Sequence, residues 1–104
     1  MKFDSNCKAI IESMNYGELE AYVYFLGEVE IPRHREDIVK KLENNRERRA
    51  TIHMLSNYKA TSVVLKTLIK LNQTAIYRHR QDIKSTRECI LRAEDRMEML
   101  EFLS

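Results

Sequence analysis

The chain has 104 residues, of which 43% are hydrophobic and 33% are charged, and its formal net charge is +2. This length fits one domain with a modest core, and a content of two glycines and one proline excludes a protein built from many tight hairpins. Because no apolar run reaches the length of a membrane span and the N-terminal segment lacks a secretory signal pattern, we predict a cytoplasmic protein with no membrane partner.

The predicted fold class is all-α: a single compact helical domain of about five helices over residues 1–104, with a long C-terminal helix. In the first helix, apolar residues recur at offsets of four, seven, eight and eleven, which is the period of one helix face. They are Phe3, Cys7, Ile10, Ile11 and Met14.

A second helix is predicted from the same period between Leu19 and Leu26. Gly27 stands where a left-handed C-terminal cap is expected. The next four residues, EVEI, predict a short extended connector, because a residue before proline avoids the α region.

Pro32 suits the first turn of a third helix, whose apolar stripe is Ile38, Val39 and Leu42. Seven polar residues, ENNRERR, then fill positions 43–49. The sequence leaves two readings open for them, since the helix either continues with all its sides in water or breaks near Asn44–Asn45. A further break is predicted at residues 56–58, SNY.

The segment ATSVVLKTLIKL, residues 60–71, is apolar on more than one face, which predicts the central buried helix of the domain. The NQT stretch at residues 72–74 predicts the last break, with Thr74 as the N-cap of the final helix.

The final helix carries a heptad frame, because Ile76, Ile83, Ile90 and Met97 are spaced by seven. The second core position of each heptad lies three residues later. These residues are His79, Thr86, Ala93 and Leu100, and two of the four are polar. This helix either lies across the bundle or pairs with a copy of itself. We predict a homodimer with an interface formed by Ile76, Ile83, Ile90, Met97 and Leu100.

Two octets are nearly identical: IPRHREDI at residues 31–38, here octet 1, and IYRHRQDI at residues 76–83, here octet 2. In each, the flanking isoleucines are seven apart and therefore share one helix side. Either the octet performs one function twice, or two helix starts meet the same packing requirement.

Charge is unevenly distributed, with −4 over residues 1–31, +9 over residues 32–87 and −3 over residues 88–104. Arginine and lysine on a helical surface supply affinity for nucleic-acid phosphates, so we predict a small regulatory protein that binds nucleic acid, DNA or RNA, with DNA favoured. The predicted binding residues are Arg33, Arg35, Lys40, Lys41, Arg46, Arg48, Arg49, Arg78, Arg80, Lys84 and Arg87.

Three alternatives stand beside this prediction. Residues 63–83 resemble a helix-turn-helix pattern in which NQT would be the turn and the helix after it would read the major groove. The basic middle would otherwise neutralise the acidic ends or bind an acidic protein. The apolar C-terminal segment, MEMLEFLS, would suit a helical adaptor or inhibitor that docks on another protein.

No catalytic motif is present: there is no glycine-rich phosphate loop, no CxxC and no HExxH. The three histidines are not at i, i+4 spacing, so we predict no enzyme activity, no cofactor and no metal site. Cys7 and Cys89 are predicted to be free thiols in the core, because two cysteines make a poor disulfide framework.

Overall fold

The computed structural model describes residues 3–55 and 58–103, with side chains from Cys7 onward. Regular structure in these residues is entirely helical, which confirms the all-α class and the long C-terminal helix. The elements are α1 (Phe3–Ser13), α2 (Tyr16–Phe25), a π-helical turn (Leu26–Glu30), α3 (Ile31–Met54) and α4 (Lys59–Leu103).

The prediction of about five helices in one compact domain is wrong, because the described residues form four α-helices and the chain divides into two compact units. Unit 1 comprises residues 1–33 and 81–104, and unit 2 comprises residues 34–80. The assignment of residues 1–104 to one domain stays a prediction.

The passage from α2 to α3 stays helical, contrary to the predicted glycine cap and extended connector. Pro32 has no N–H, so it cannot bond the carbonyl four residues earlier, and its ring crowds that carbonyl. The chain widens into a π-helical turn before the proline, where the Ile31 N–H donates to the Leu26 carbonyl, five residues back. Gly27 has no positive φ and therefore forms no left-handed cap.

The break predicted at residues 72–74 is also wrong, since α4 runs without interruption from Lys59 to Leu103. Thr74 lies inside the helix, where its hydroxyl donates to the Lys70 carbonyl at 3.1 Å. No described helix is long and apolar enough to cross a membrane.

Residues 60–71 are not the central buried helix that their composition predicts. Val63, Val64 and Leu71 are 58–62% exposed, and Ile69 is the buried residue of the segment. The predicted break before this segment falls between α3 and α4, and its residues Ser56 and Asn57 lie outside the described part of the chain.

Unit 1 holds the larger hydrophobic core, built from α1, α2, the π-helical turn and the last part of α4. The N-terminus of α2 has a capping box, in which the Asn15 side chain accepts from the Glu18 N–H at 2.8 Å. The Tyr16 hydroxyl donates to Glu101 at 2.6 Å, and this bond raises the pKa of Tyr16. The buried core residues are Cys7, Ile11, Leu19, Leu26, Cys89 and Ala93.

Cys7 and Cys89 are joined as a disulfide at the centre of this core, with their Cα atoms 6.1 Å apart. The prediction that both residues are buried is confirmed, because Cys7 is 2% exposed and Cys89 is 0% exposed. The prediction of free thiols is wrong. The two cysteines are 82 residues apart in the chain, so only the fold could show that α1 and α4 bring them together.

Unit 2 is an antiparallel helical hairpin formed by residues 34–54 of α3 and 59–80 of α4. Along each helix, buried and half-buried residues alternate at spacings of three and four, so the two helices share a coiled-coil seam. The polar stretch at residues 43–49 stays helical, because Asn45 provides a seam position within it. The seam positions are His34, Ile38, Lys41, Asn45, Arg48 and Ile52 on α3, and Ser62, Leu65, Ile69, Asn72, Ile76 and His79 on α4.

The heptad frame predicted for the last helix is confirmed as a buried stripe. Ile76 and Ile83 are 5% and 7% exposed within a single chain, and Ile90, Met97 and Leu100 pack against the unit 1 core. The dimer and its predicted interface both stay predictions, since Ile90, Met97 and Leu100 are half-buried within one chain.

Asn45 gives a stability prediction for the hairpin seam. Its side chain is 1% exposed, its Nδ2 donates to the Ile69 carbonyl at 3.4 Å, and its Oδ1 is buried without a partner. Since an unsatisfied buried acceptor costs roughly 1–3 kcal/mol, we expect Asn45→Leu to raise the free energy of unfolding by about that amount. Urea unfolding followed by circular dichroism measures it. The control is the exposed neighbour, Asn44→Leu, which should change stability by less than about 0.5 kcal/mol.

Candidate nucleic-acid interface

The hairpin seam of unit 2 sets which side chains share each flank. In an antiparallel coiled coil, the residues that directly follow the seam positions of both helices line the same flank. On this flank all seven charged residues are basic, and all seven are exposed. We call them the basic face. Six of them directly follow seam positions: Arg35, Arg46 and Arg49 on α3, and Lys66, Lys70 and Arg80 on α4. The seventh, Lys59, lies seven residues before Lys66 and lines a groove with it.

Two shallow grooves show that the two helices meet along this flank. One groove, of about 380 Å³, is lined by Arg49 from α3 and by Lys66 and Lys70 from α4, with Ile52 and Ile69 among its apolar residues. The second continues towards the end of the hairpin and is lined by residues that include His53, Lys59 and Lys66. Cationic side chains of both helices therefore converge on one surface.

The acidic residues of unit 2 lie elsewhere. Asp37 and Glu47 precede seam positions and therefore lie on the opposite flank, while Glu36 and Glu43 lie on the outer side of α3. No carboxylate of unit 2 therefore lies on the basic face. Over the whole unit there are eleven lysines and arginines against four acidic residues, a formal charge of +7, whereas unit 1 carries −5.

The predicted binding residues divide into three groups. Arg35, Arg46, Arg49 and Arg80 lie on the basic face. Lys41 and Arg48 occupy seam positions and are half-buried, so their charges are less accessible than predicted.

The remaining predicted residues lie off the basic face. Lys40 and Arg78 precede seam positions and lie on the opposite flank, where Lys40 is 3.8 Å from Glu36. Arg33 belongs to unit 1, where it pairs with Glu30 at 2.9 Å. Lys84 and Arg87 also belong to unit 1.

Sequence reasoning missed Lys59, Lys66 and Lys70, of which Lys66 and Lys70 belong to the segment interpreted as a buried core helix, residues 60–71, and Lys59 directly precedes it. Their spacing could have identified them, because Lys66 and Lys70 follow Lys59 by seven and eleven residues, the period of one helix face. Exposed non-charged side chains accompany them on this flank, and Tyr77, which is 63% exposed, adds an aromatic ring.

The helix-turn-helix alternative is excluded by the geometry of α4. That motif requires a turn between two helices at residues 72–74, and α4 is continuous there.

A second feature of unit 2 comes from the repeated octets. When two copies of one motif lie on antiparallel helices, one position of the first copy faces the same position of the second. Here this is the fourth position, which is His34 in octet 1 and His79 in octet 2. Their Nδ1 atoms are 2.8 Å apart, and the ring centroids are 5.1 Å apart with planes tilted by 54°. The isoleucines at the octet ends are all buried, at 5–9% exposure. Of the two explanations for the repeat, this geometry favours a shared packing requirement.

No protein-family model, no curated protein and no solved structure matches this chain.

Proposed function

We propose that the protein is a small, non-enzymatic regulatory protein that binds nucleic acid through the basic face of unit 2, with DNA as the favoured target. The single observation that supports this proposal is the segregation of charge on the hairpin. Seven exposed cations share one flank, and the four carboxylates of the unit lie outside it. Such a surface suits the repeating phosphates of a nucleic acid better than an isolated acidic group.

The dimensions of the face support backbone binding rather than base reading. From Arg35 to His53 the α3 side extends about 27 Å, which matches roughly eight base pairs of duplex. A pair of packed helices is wider than the major groove of about 12 Å, which admits a single helix. The hairpin therefore contacts phosphates along the outside of the duplex, and its affinity is independent of base sequence.

The test is a binding titration against duplex DNA and single-stranded RNA across a salt series, with an uncharged polymer as the control ligand. If all seven cations contact phosphates, the slope of log K against log salt concentration reaches about −6 for duplex DNA. Equal affinity for unrelated duplex sequences is expected. An absence of binding to DNA and RNA at low salt would contradict the proposal.

A second candidate function, a helical protein–protein interaction module, is supported by the C-terminal end of α4. Phe102 and Leu103 are 89% and 71% exposed, and Met99 is 51% exposed. Exposed large apolar residues close together mark sites of protein contact. Under this proposal the occupant is an adaptor target or a second copy of the chain, and deletion of residues 102–104 abolishes binding to it without changing affinity for DNA.

A further inference from the structure

The histidine pair of unit 2 has a geometry that neither the basic face nor the seam requires. Among the seam positions of the hairpin, His34 and His79 are the two imidazoles, and they point their Nδ1 atoms at each other at 2.8 Å. Both rings are partly buried. At this distance one nitrogen carries a proton and donates it, while the other contributes a lone pair.

A carboxylate lies beside the other nitrogen of one ring. The Nε2 atom of His79 is 4.0 Å from the Asp37 Oδ2 atom, and the His79 side chain is 21% exposed. A carboxylate that accepts a hydrogen bond from the outer nitrogen of a histidine fixes the ring orientation and makes the inner nitrogen a better ligand. A shift of about 1 Å brings Asp37 into hydrogen-bond range of His79.

We propose that His34 and His79 bind a divalent transition-metal ion of the class that prefers imidazole, such as Zn²⁺, through their Nδ1 atoms. The ion takes the place of the proton between the two rings, which moves to the Nε2 atom of its own ring. Asp37 acts as a positioning residue behind His79, and solvent completes the coordination. The site uses identical residues from the two octets, so the repeat supplies both protein ligands.

The geometry requires a small adjustment. Two nitrogens bound to one tetrahedral Zn²⁺ at about 2.0–2.1 Å are about 3.3 Å apart, so the rings have to separate by about half an ångström. Side-chain rotation of two partly buried rings provides this without moving the helices. The proton between the rings moves to the Nε2 atom of its own ring, so both rings bind in the neutral form, and binding weakens as the pH falls because protons compete with the ion for the Nδ1 atoms.

The test is isothermal titration calorimetry of the untagged, oxidised chain with Zn²⁺ alone, at a neutral and at a more acidic pH. We expect one ion per chain, with a weaker affinity at the more acidic pH because protons compete with the ion for the two Nδ1 atoms. The His34→Gln and His79→Gln variants should lose binding. The matched control is His53→Gln, which removes the exposed third histidine of the same hairpin and should bind as the unaltered chain does.

Circular dichroism checks that each variant keeps its helical content. A measurement on the unaltered chain avoids dependence on variants: titration with Zn²⁺ should shift the Nδ1 resonances of His34 and His79 in nitrogen NMR spectra and leave those of His53 in place. No binding at millimolar Zn²⁺, or binding that persists in both His34→Gln and His79→Gln, would overturn the proposal.

Asp37→Asn should weaken binding by roughly 10- to 100-fold, and an unchanged Kd would overturn the role of Asp37. No nucleic acid is present, so the result is independent of the proposed function.

Discussion

Reduction of the Cys7–Cys89 disulfide is expected to lower the free energy of unfolding by about 4–5 kcal/mol. The bond closes a loop that spans 82 residues, and a crosslink over a loop of that size removes much of the conformational entropy of the unfolded chain. For a chain of this size the loss corresponds to a fall in Tm of roughly 20 °C or more. Thermal unfolding with and without a reductant, followed by circular dichroism, measures the difference.

The control for the disulfide prediction is the double variant Cys7→Ala, Cys89→Ala, whose Tm should not respond to the reductant. Both positions are buried in the unit 1 core, so the variant should also start from a lower Tm than the oxidised chain. Quantification of thiols in the unfolded, unreduced chain is the decisive check. Two reactive thiols per chain would contradict the prediction. Disulfides persist mainly in oxidising compartments, whereas the sequence predicts a cytoplasmic location. The location therefore stays a prediction.

Helix periodicity was the part of the sequence that predicted structure best. The frame from Ile76 to Leu100 is buried or half-buried at every position in the structure, since spacing along one helix determines which side chains share a face. The partner of the frame could not be predicted from the sequence. A heptad pattern looks the same whether it packs against helices of its own chain or against a second copy of the chain. The stripe packs within its own chain.

The hairpin explains why the apolar composition of residues 60–71 does not lead to burial on several faces. Apolar residues such as Val64 and Leu71 suggested burial on several faces, but in a two-helix hairpin only one stripe of each helix is covered. That stripe is partly polar, with Asn45 and Asn72 at seam positions. Charge provided the better guide: four of the seven residues of the basic face were predicted. Of the other three, Lys66 and Lys70 lie in the segment interpreted as core, and Lys59 directly precedes it.

The histidine pair lay beyond sequence reasoning for a different reason. His34 and His79 are 45 residues apart, and no spacing rule for a single helix connects them. The repeated octet was the available signal, because two copies of a motif on antiparallel helices place one position opposite itself. Applying that signal requires knowing that α3 and α4 pair antiparallel in this register, which depends on the position of the turn between them.

The double variant Lys66→Glu, Lys70→Glu is expected to weaken binding to duplex DNA at least about 60-fold at roughly 0.1 M salt. Each lost phosphate contact lowers log K by about 0.9 under these conditions, and the added carboxylates repel the phosphates further. The slope of log K against log salt concentration should become less steep by about 1.8. Both lysines are exposed in a groove beside Arg49, so their substitution should leave the helical spectrum unchanged.

The matched control for this variant is Lys40→Glu, Arg78→Glu, which changes the net charge by the same amount on the opposite flank of the same hairpin. If the basic face is the binding surface, the control should lose only the small affinity that arises from net charge, while Lys66→Glu, Lys70→Glu loses its phosphate contacts. Equal losses in the two variants would show that affinity follows total charge, and the basic face would no longer be the interface. Fluorescence anisotropy with a labelled duplex, repeated at several salt concentrations, distinguishes the two outcomes because a lost contact changes the slope, whereas a general change in charge shifts both curves alike.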